Sequence, residues 1–326
     1  MGAGAAGIFA GPELGLDLLE SGGEIAARSP LQLFWRRFRR DRVAQVAAAF
    51  ILLLIVVAIF APLVVKLFGL PSPYTQNPNL TGSFGEPIGP NSGHPFGVDP
   101  LGEDVASRVI YGTRVSLEVG VVGTAIATVI GVTLGLLAGY YRGWLDTIIS
   151  RLFIDVTLSI PILLLGLGIG AACAVRGCLG GTIQPGVGVI IFLIAFATWT
   201  YFARIVRGLV LSLREREFVE AARALGASDL RIMFCEILPN LIAPIIVYAT
   251  LQIPLNILIE ASLSFLGVGV RPPTASWGQM IAAATPTFNT AWWYMVFPGA
   301  ALLLTVLAFN LLGDGLRDAL NPRSSQ

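Results

Sequence analysis

Apolar residues gather along this chain into runs too long for β-strands and too evenly apolar for the surface helices of a water-soluble fold. Six runs reach or approach the roughly 20 residues that a helix needs to cross a hydrocarbon core. They cover 43–65, 115–138, 152–175, 187–203, 241–259 and 293–312, the fourth ending short at Arg204. The expected fold is an all-α membrane protein of six transmembrane helices with both termini on one side. Around the spans the chain divides into a tail with a basic end (1–42), the first transmembrane helix (43–65), an outer loop (66–114), a five-helix core (115–312) and a C-terminal tail (313–326). The first 30 residues, rich in Gly and Ala, read as a flexible tail. Because the first apolar run is a full span behind an arginine cluster, it reads as an uncleaved anchor.

The placement of charge gives the orientation. Arg28, Arg36, Arg37, Arg39, Arg40 and Arg42 precede the first span, Arg142 and Arg151 lie between spans two and three, six arginines from Arg204 to Arg231 lie between four and five, and Arg317 and Arg323 close the chain. Only Lys66, Arg108, Arg114, Arg176 and Arg271 fall on the other side. The excess of basic residues marks the cytoplasmic side, so both termini are expected there.

Composition narrows the chemistry. Of 326 residues, 55% are hydrophobic and 13% charged, where soluble domains carry roughly a quarter charged. A net charge of +1 gives no pull toward nucleic acid. The three cysteines form no CxxC pair and His94 is the single histidine, so no metal site is expected. Lys66, the single lysine, lacks the glycine pattern of a phosphate-binding loop, so P-loop nucleotide hydrolysis would need another chain. Glu118 and Asp155 lie one turn into their spans and Glu260 at an exit. An ion-coupled carrier keeps acids near mid-membrane, which argues against a stand-alone carrier, a voltage sensor or an intramembrane protease.

The connection 204–240 is the most informative segment. A helix through Glu220 should stop at Gly226, the residue best able to take a left-handed C′ conformation, and Ser228 or Asp229 can cap a second helix that passes into the fifth span after Pro239. Phe218, Ala222 and Leu225 share a face, with Ala221 beside them. Such a helix–turn–helix suits docking of a partner, and equally an ordinary amphipathic loop. Gly131-x-x-x-Gly135 and Gly166-x-x-x-Gly170 allow close helix approach, read here as packing within the chain. Pro161, Pro244 and Pro254 interrupt spans three and five, either as kinks lining a path or as packing irregularities.

Glu220-Ala-Ala222, Gly226 four residues on and Ile237-Leu-Pro239 resemble the EAA loop of bacterial ABC importer permeases. The segments His94 to Leu117 and Glu260 to Gly278, with Trp199-x-Tyr201-x-Ala203-Arg204 and Asn310 to Pro322, are similar to the C-type permease subunit of dipeptide, oligopeptide and nickel importers. The likeness runs from Arg36 onward; Glu103 and Glu236 depart from it, standing where arginine and histidine are usual. It implies a type I importer permease of a bacterial or archaeal plasma membrane, which forms half of a translocation path for di- or oligopeptides, or for nickel chelates, glutathione or oligosaccharides. The implied partners are a second, B-type permease, two ABC ATPase subunits that carry ATP and Mg, and an extracytoplasmic substrate-binding protein. This chain would then have no catalytic residue and no cofactor. The implied coupling residues are Glu220, Ala221, Ala222, Leu225, Gly226, Ala227, Ile237 and Pro239.

On the outer side, Asp99, Asp104, Arg108 and Arg114 can pair among themselves in a cap; Asp99, Asp104, Arg108 and Trp277 are also candidates for a binding-protein contact or gate. His94 reads as a hydrogen-bonding loop residue. Trp277, Trp292 and Trp293 sit where an outer aromatic belt is expected. Cys173 and Cys178 read either as free apolar cysteines or as a disulfide outside the cytoplasm. Arg36 to Arg42 suffice as a topological anchor and can also meet anionic lipid headgroups of the bilayer.

Overall fold

A computed structural model describes residues 30–82, 86–173, 175–183 and 185–320. The flexible tail expected over the first 30 residues lies, apart from Pro30, outside the described residues. Helix α1 (Pro30–Phe38) leads to Asp41, whose carboxylate accepts from the Ala44 N–H at 3.0 Å and caps α2 (Arg42–Ile59). The first span does not run unbroken to 65. It stops at Phe60, and Pro62, which has no N–H to donate, sits in the first turn of a separate α3 (Ala61–Leu67). Asp104 caps α4 (Val105–Tyr141), accepting from Ser107 N–H at 2.7 Å, so this helix begins well outside the expected span.

The third span is broken. It consists of α5 (Gly143–Thr147), a π-helical stretch (Ile148–Asp155), α6 (Val156–Ser159) and, after a bend of 86°, α7 (Ile162–Cys173). Pro161 causes the break: it forces the preceding Ile160 into the extended region at φ −91°, ψ 122° and cannot donate to the helix. Helix α8 (Val187–Leu213) continues past Arg204. Next come α9 (Glu217–Ala224), the single turn α10 (Asp229–Arg231), a π-helical stretch (Ile232–Ile237) and α11 (Leu238–Phe265). Helix α12 (Trp277–Ala284), capped by Ser276, precedes α13 (Trp292–Leu320), which carries the helix well into the expected C-terminal tail. Among the described residues five helices are long and apolar enough to cross a membrane, and the bent pair makes up to six.

The most extensive pairing joins α4 to α8. A Cβ added to Gly131, Gly135 or Gly139 would stand 2.5–2.7 Å from Phe202 Cβ, Ala203 O or Val210 Cβ, so these glycines let the two helices touch backbone to backbone. At Gly166 the Leu263 side chain fills the space, its Cδ2 2.5 Å from an added Cβ. The spaced glycines therefore serve packing inside the chain. The aromatic belt is corrected at two of its three tryptophans: Trp277 and Trp293 are buried, their indole N–H groups donating to the carbonyls of Val109 at 3.1 Å and Val98 at 3.0 Å, while Trp292 is half exposed. Cys173 and Cys178 are joined by a disulfide.

Candidate functional site

The segment between α8 and α11 is seated on the bundle by one face and open on the other. Val219 is fully buried among Leu136, Val210, Ile232, Met233 and Ile237, with Ala222 and Ala227 half-buried beside it. The inward strip of α9 is thus Val219 and Ala222, not the expected face of Phe218, Ala222 and Leu225. Phe218 and Leu225 point outward instead, Leu225 at 89% exposure, with Glu220 and Ala221 exposed alongside. Eight residues with apolar side chains on two faces leave periodicity unable to say which face is buried.

The helix stop is as expected. Gly226 takes φ +80°, its N–H donates to Arg223 O at 3.0 Å, and the Ala227 N–H donates to Ala222 O at 3.1 Å. These two bonds make a Schellman motif. Ser228 then caps α10, and Pro239 sits exposed in the first turn of α11, while Ile237 is buried in the core. Glu217 and Glu220 lie in the first turn of α9, where the helix dipole favours them. The segment is tied down by contacts that periodicity alone does not reveal. Tyr140 Oη donates to Asp229 Oδ1 at 2.6 Å, Arg214 donates to the Tyr140 carbonyl, and Arg142 pairs with Glu215 at 2.5 Å. Arg207 holds Asp146 through two bonds of 2.6 and 2.7 Å, and Arg204 meets Asp155 at 2.8 Å, fastening the broken third span to α8.

Two adjoining cavities that share Tyr248 lie along α8 and α11. One, of about 500 Å³, is lined by Ile205, Leu209, Pro244, Tyr248 and Arg317. The other, of about 430 Å³, is lined by Ile162, Tyr201, Tyr248, Gln252, Leu258 and Ser262. Gln252 Nε2 donates to Asn256 Oδ1 at 3.2 Å, and Asn256 Nδ2 donates to Thr124 Oγ1 at 2.8 Å, so a polar chain links the cavity wall to α4. The i, i+4 amide pair inside an apolar run was the signal for this network.

The four outer residues singled out from the sequence are all buried. Arg108 pairs with Glu103, lies 3.9 Å from Asp99 and donates to the Pro73 carbonyl at 3.3 Å. Asp99 Oδ1 accepts the N–H groups of Leu101 and Glu103, each at 2.9 Å. Burial nevertheless pushes the Asp99 carboxyl up to about 6, against the opposing pull of these bonds and of Arg108. Asp104 caps α4 and meets His94 Nδ1 at 2.8 Å. Arg114 is exposed and takes no part in these pairs. In this structure, then, Asp99, Asp104, Arg108 and Trp277 build an internally bonded cap and turn no side chain outward. Glu103, the departure noted in the sequence, supplies the nearest countercharge to Arg108. Glu260, near the end of α11, is fully buried, accepting from Ser264 at 2.8 Å, Ser276 at 2.9 Å and Ser116 at 3.4 Å, and so joins α11, α12 and α4.

Residues 131–326 match the family described as "Binding-protein-dependent transport system inner membrane component". The chain belongs to this permease family. Residues 29–84 of the permease match the "N-terminal TM domain of oligopeptide transport permease C". Over 91% of its length the permease is 42% identical to "Glutathione transport system permease protein GsiD" of Pectobacterium atrosepticum, of which 93% is covered. It is 46% identical, over 91% of each chain, to the proteins of that name from Escherichia coli O6:K15:H31 and Shigella boydii serotype 4. Among solved structures, inward-facing MetNI methionine ABC transporter chains align over 65% of the permease and 96% of their own length, with a TM-score of 0.54 and 21% identity. That likeness concerns the fold. The permease is thus a membrane-spanning subunit of an ABC importer of the inner membrane, a class that works with a partner permease, an ATPase and a binding protein.

Proposed function

We propose that this chain is the C-type permease of a heteromeric importer of short peptides, glutathione among them. The observation that carries the reading is the exposed, Schellman-capped elbow around Glu220 and Gly226, mounted on a fully buried Val219 beside two cavities along α8 and α11 that share Tyr248. The elbow docks one of two ABC ATPase subunits, with Phe218, Ala221 and Leu225 as its apolar contact and Glu220 as an orienting charge. ATP and Mg bind on those subunits, and their closure pushes the elbow and switches the spans between inward-open and outward-open states. Both termini face the cytoplasm, in keeping with the excess of basic residues there. A B-type permease supplies the other wall of the path, and an extracytoplasmic binding protein delivers the peptide to the capped end. In the second cavity, Tyr201, Tyr248 and Gln252 offer hydrogen bonds to peptide amides within an apolar wall, the usual make-up of a small-molecule site. The names of the relatives given above, glutathione permeases, favour a tripeptide over a metal chelate.

The test is uptake of labelled glutathione and dipeptides by cells lacking the chain and complemented with it or with Glu220→Lys. Complementation should restore uptake, and the variant should insert normally yet import at background. Solute movement by the purified chain alone in liposomes, with no ATPase subunit present, would overturn the reading.

A further inference from the structure

The arginine cluster ahead of the first span has a structural counterpart that transport does not use. Helix α1 sets the Phe38 ring against Phe34 at 5.9 Å and Trp35 at 6.0 Å, and the Arg39 guanidinium lies 5.1 Å from the Trp35 ring centre. Asp41 is committed to the α2 cap. At the junction of α1 and α2, Ala44 of α2 presses on Gly315 of α13, so the two helices touch there; from that point along α2 they leave an open groove of about 420 Å³. One wall is Val43, Val46, Ala47 and Phe50, the other Leu304, Leu307, Ala308 and Leu311, and Arg42 stands at the mouth. By helix rise the groove runs roughly 12 Å from Arg42 to Phe50.

We infer that this groove holds an anionic phospholipid of the cytoplasmic leaflet. The acyl chain lies along the apolar walls, and the phosphate is met by Arg42, Arg39 and Arg40, all exposed at the α1–α2 junction. Arg37 and Asp318 are already engaged within the chain, and Asp314 is the remaining exposed acid on the facing end of α13, so positive charge prevails at the mouth. Charge complementarity selects the occupant: a neutral helix from a partner would fill the walls and leave three arginines unanswered. An aromatic residue beside the charges, here Trp35, marks interfacial depth.

The importer complex is purified into nanodiscs of phosphatidylcholine carrying a trace of photoactivatable phosphatidylglycerol or photoactivatable phosphatidylcholine, and adducts are mapped by mass spectrometry. Phosphatidylglycerol adducts should concentrate on α2 and α13 at the groove and fall roughly fivefold for each arginine in Arg39→Gln, Arg40→Gln and Arg42→Gln, the fold-change of one surface charge. Val46→Trp keeps every charge and the orientation while filling the groove from its exposed rim, and should remove the adducts as well. Equal labelling by the zwitterionic analogue, unchanged labelling in Val46→Trp, or protection of the groove by the second permease would each overturn the inference. The readout is independent of transport, so it stands or falls apart from the substrate assignment.

Discussion

The two ends of this permease handle charge in opposite ways. In the outer cap Asp99, Glu103, Asp104 and Arg108 are each at most 3% exposed and bonded to one another or to backbone, so the charges are structural and depend on every partner being present. At the elbow between α8 and α11, pairs such as Arg142–Glu215 and Arg204–Asp155 are about half exposed, and the buried contact is apolar, through Val219. Ion pairs in water are individually weak and exchangeable. An end built that way can be regripped by a partner, whereas the cap cannot open a single pair without stranding an ion.

The largest test of this contrast is Arg108→Met. It leaves Asp99 and Glu103 buried without a cation and should cost about 3–5 kcal/mol, read as a large drop in the melting temperature of the detergent-purified complex. An unchanged melt would show that the cap does not depend on its ions. Next comes Gly226→Val. No atom lies within 4 Å of the added Cβ, so the penalty is left-handed backbone strain of roughly 1–2 kcal/mol. Membrane insertion should survive and uptake fall to background; normal uptake would detach the elbow from coupling.

A pH effect of smaller size follows from Asp99, whose carboxyl titrates near 6 in the closed cap against 3.8 when free. The folded pKa is raised, so the closed cap is favoured most below about pH 4 and loses that advantage as pH rises through about 6. Amide exchange at Leu101 and Glu103, whose N–H groups bond to Asp99, should quicken from about pH 5 to 7 beyond the intrinsic rise, and Asp99→Asn should abolish the excess. Smallest of all, Glu215→Gln should shift stability by no more than about 0.5 kcal/mol, because its pair with Arg142 is open to water. A shift of several kcal/mol there would erase the distinction between the two ends.

Much of the fold was legible because membrane spans are written in long apolar runs, and helix stops and starts in residues such as Gly226 and Ser228. What escaped depends on contacts across the bundle. Pro161 announced an interruption, yet the 86° bend it causes and the pairing of Asp146 and Asp155 with α8 arise from distant segments. The burial of Glu260 was not legible because its three serine partners lie on α4, α11 and the cap of α12. For α9 the apolar face was read one residue away from Val219, since each of its two faces carries apolar side chains. The ion pairs of the outer cap were foreseen as a possibility, while the part played by Glu103 was not.

Helix α4 spans both ends without interruption. At about 1.5 Å per residue its 37 residues measure roughly 55 Å, from the Asp104 cap beneath the outer loop to Tyr140, which bonds Asp229 at the elbow. Its glycine rail admits no gap from α8, so neither helix can bend without dragging its neighbour. The pair acts as a stiff tiller: a tilt imposed at one end of the bundle is carried toward the other through direct helix contact rather than through a relay of intermediate side chains.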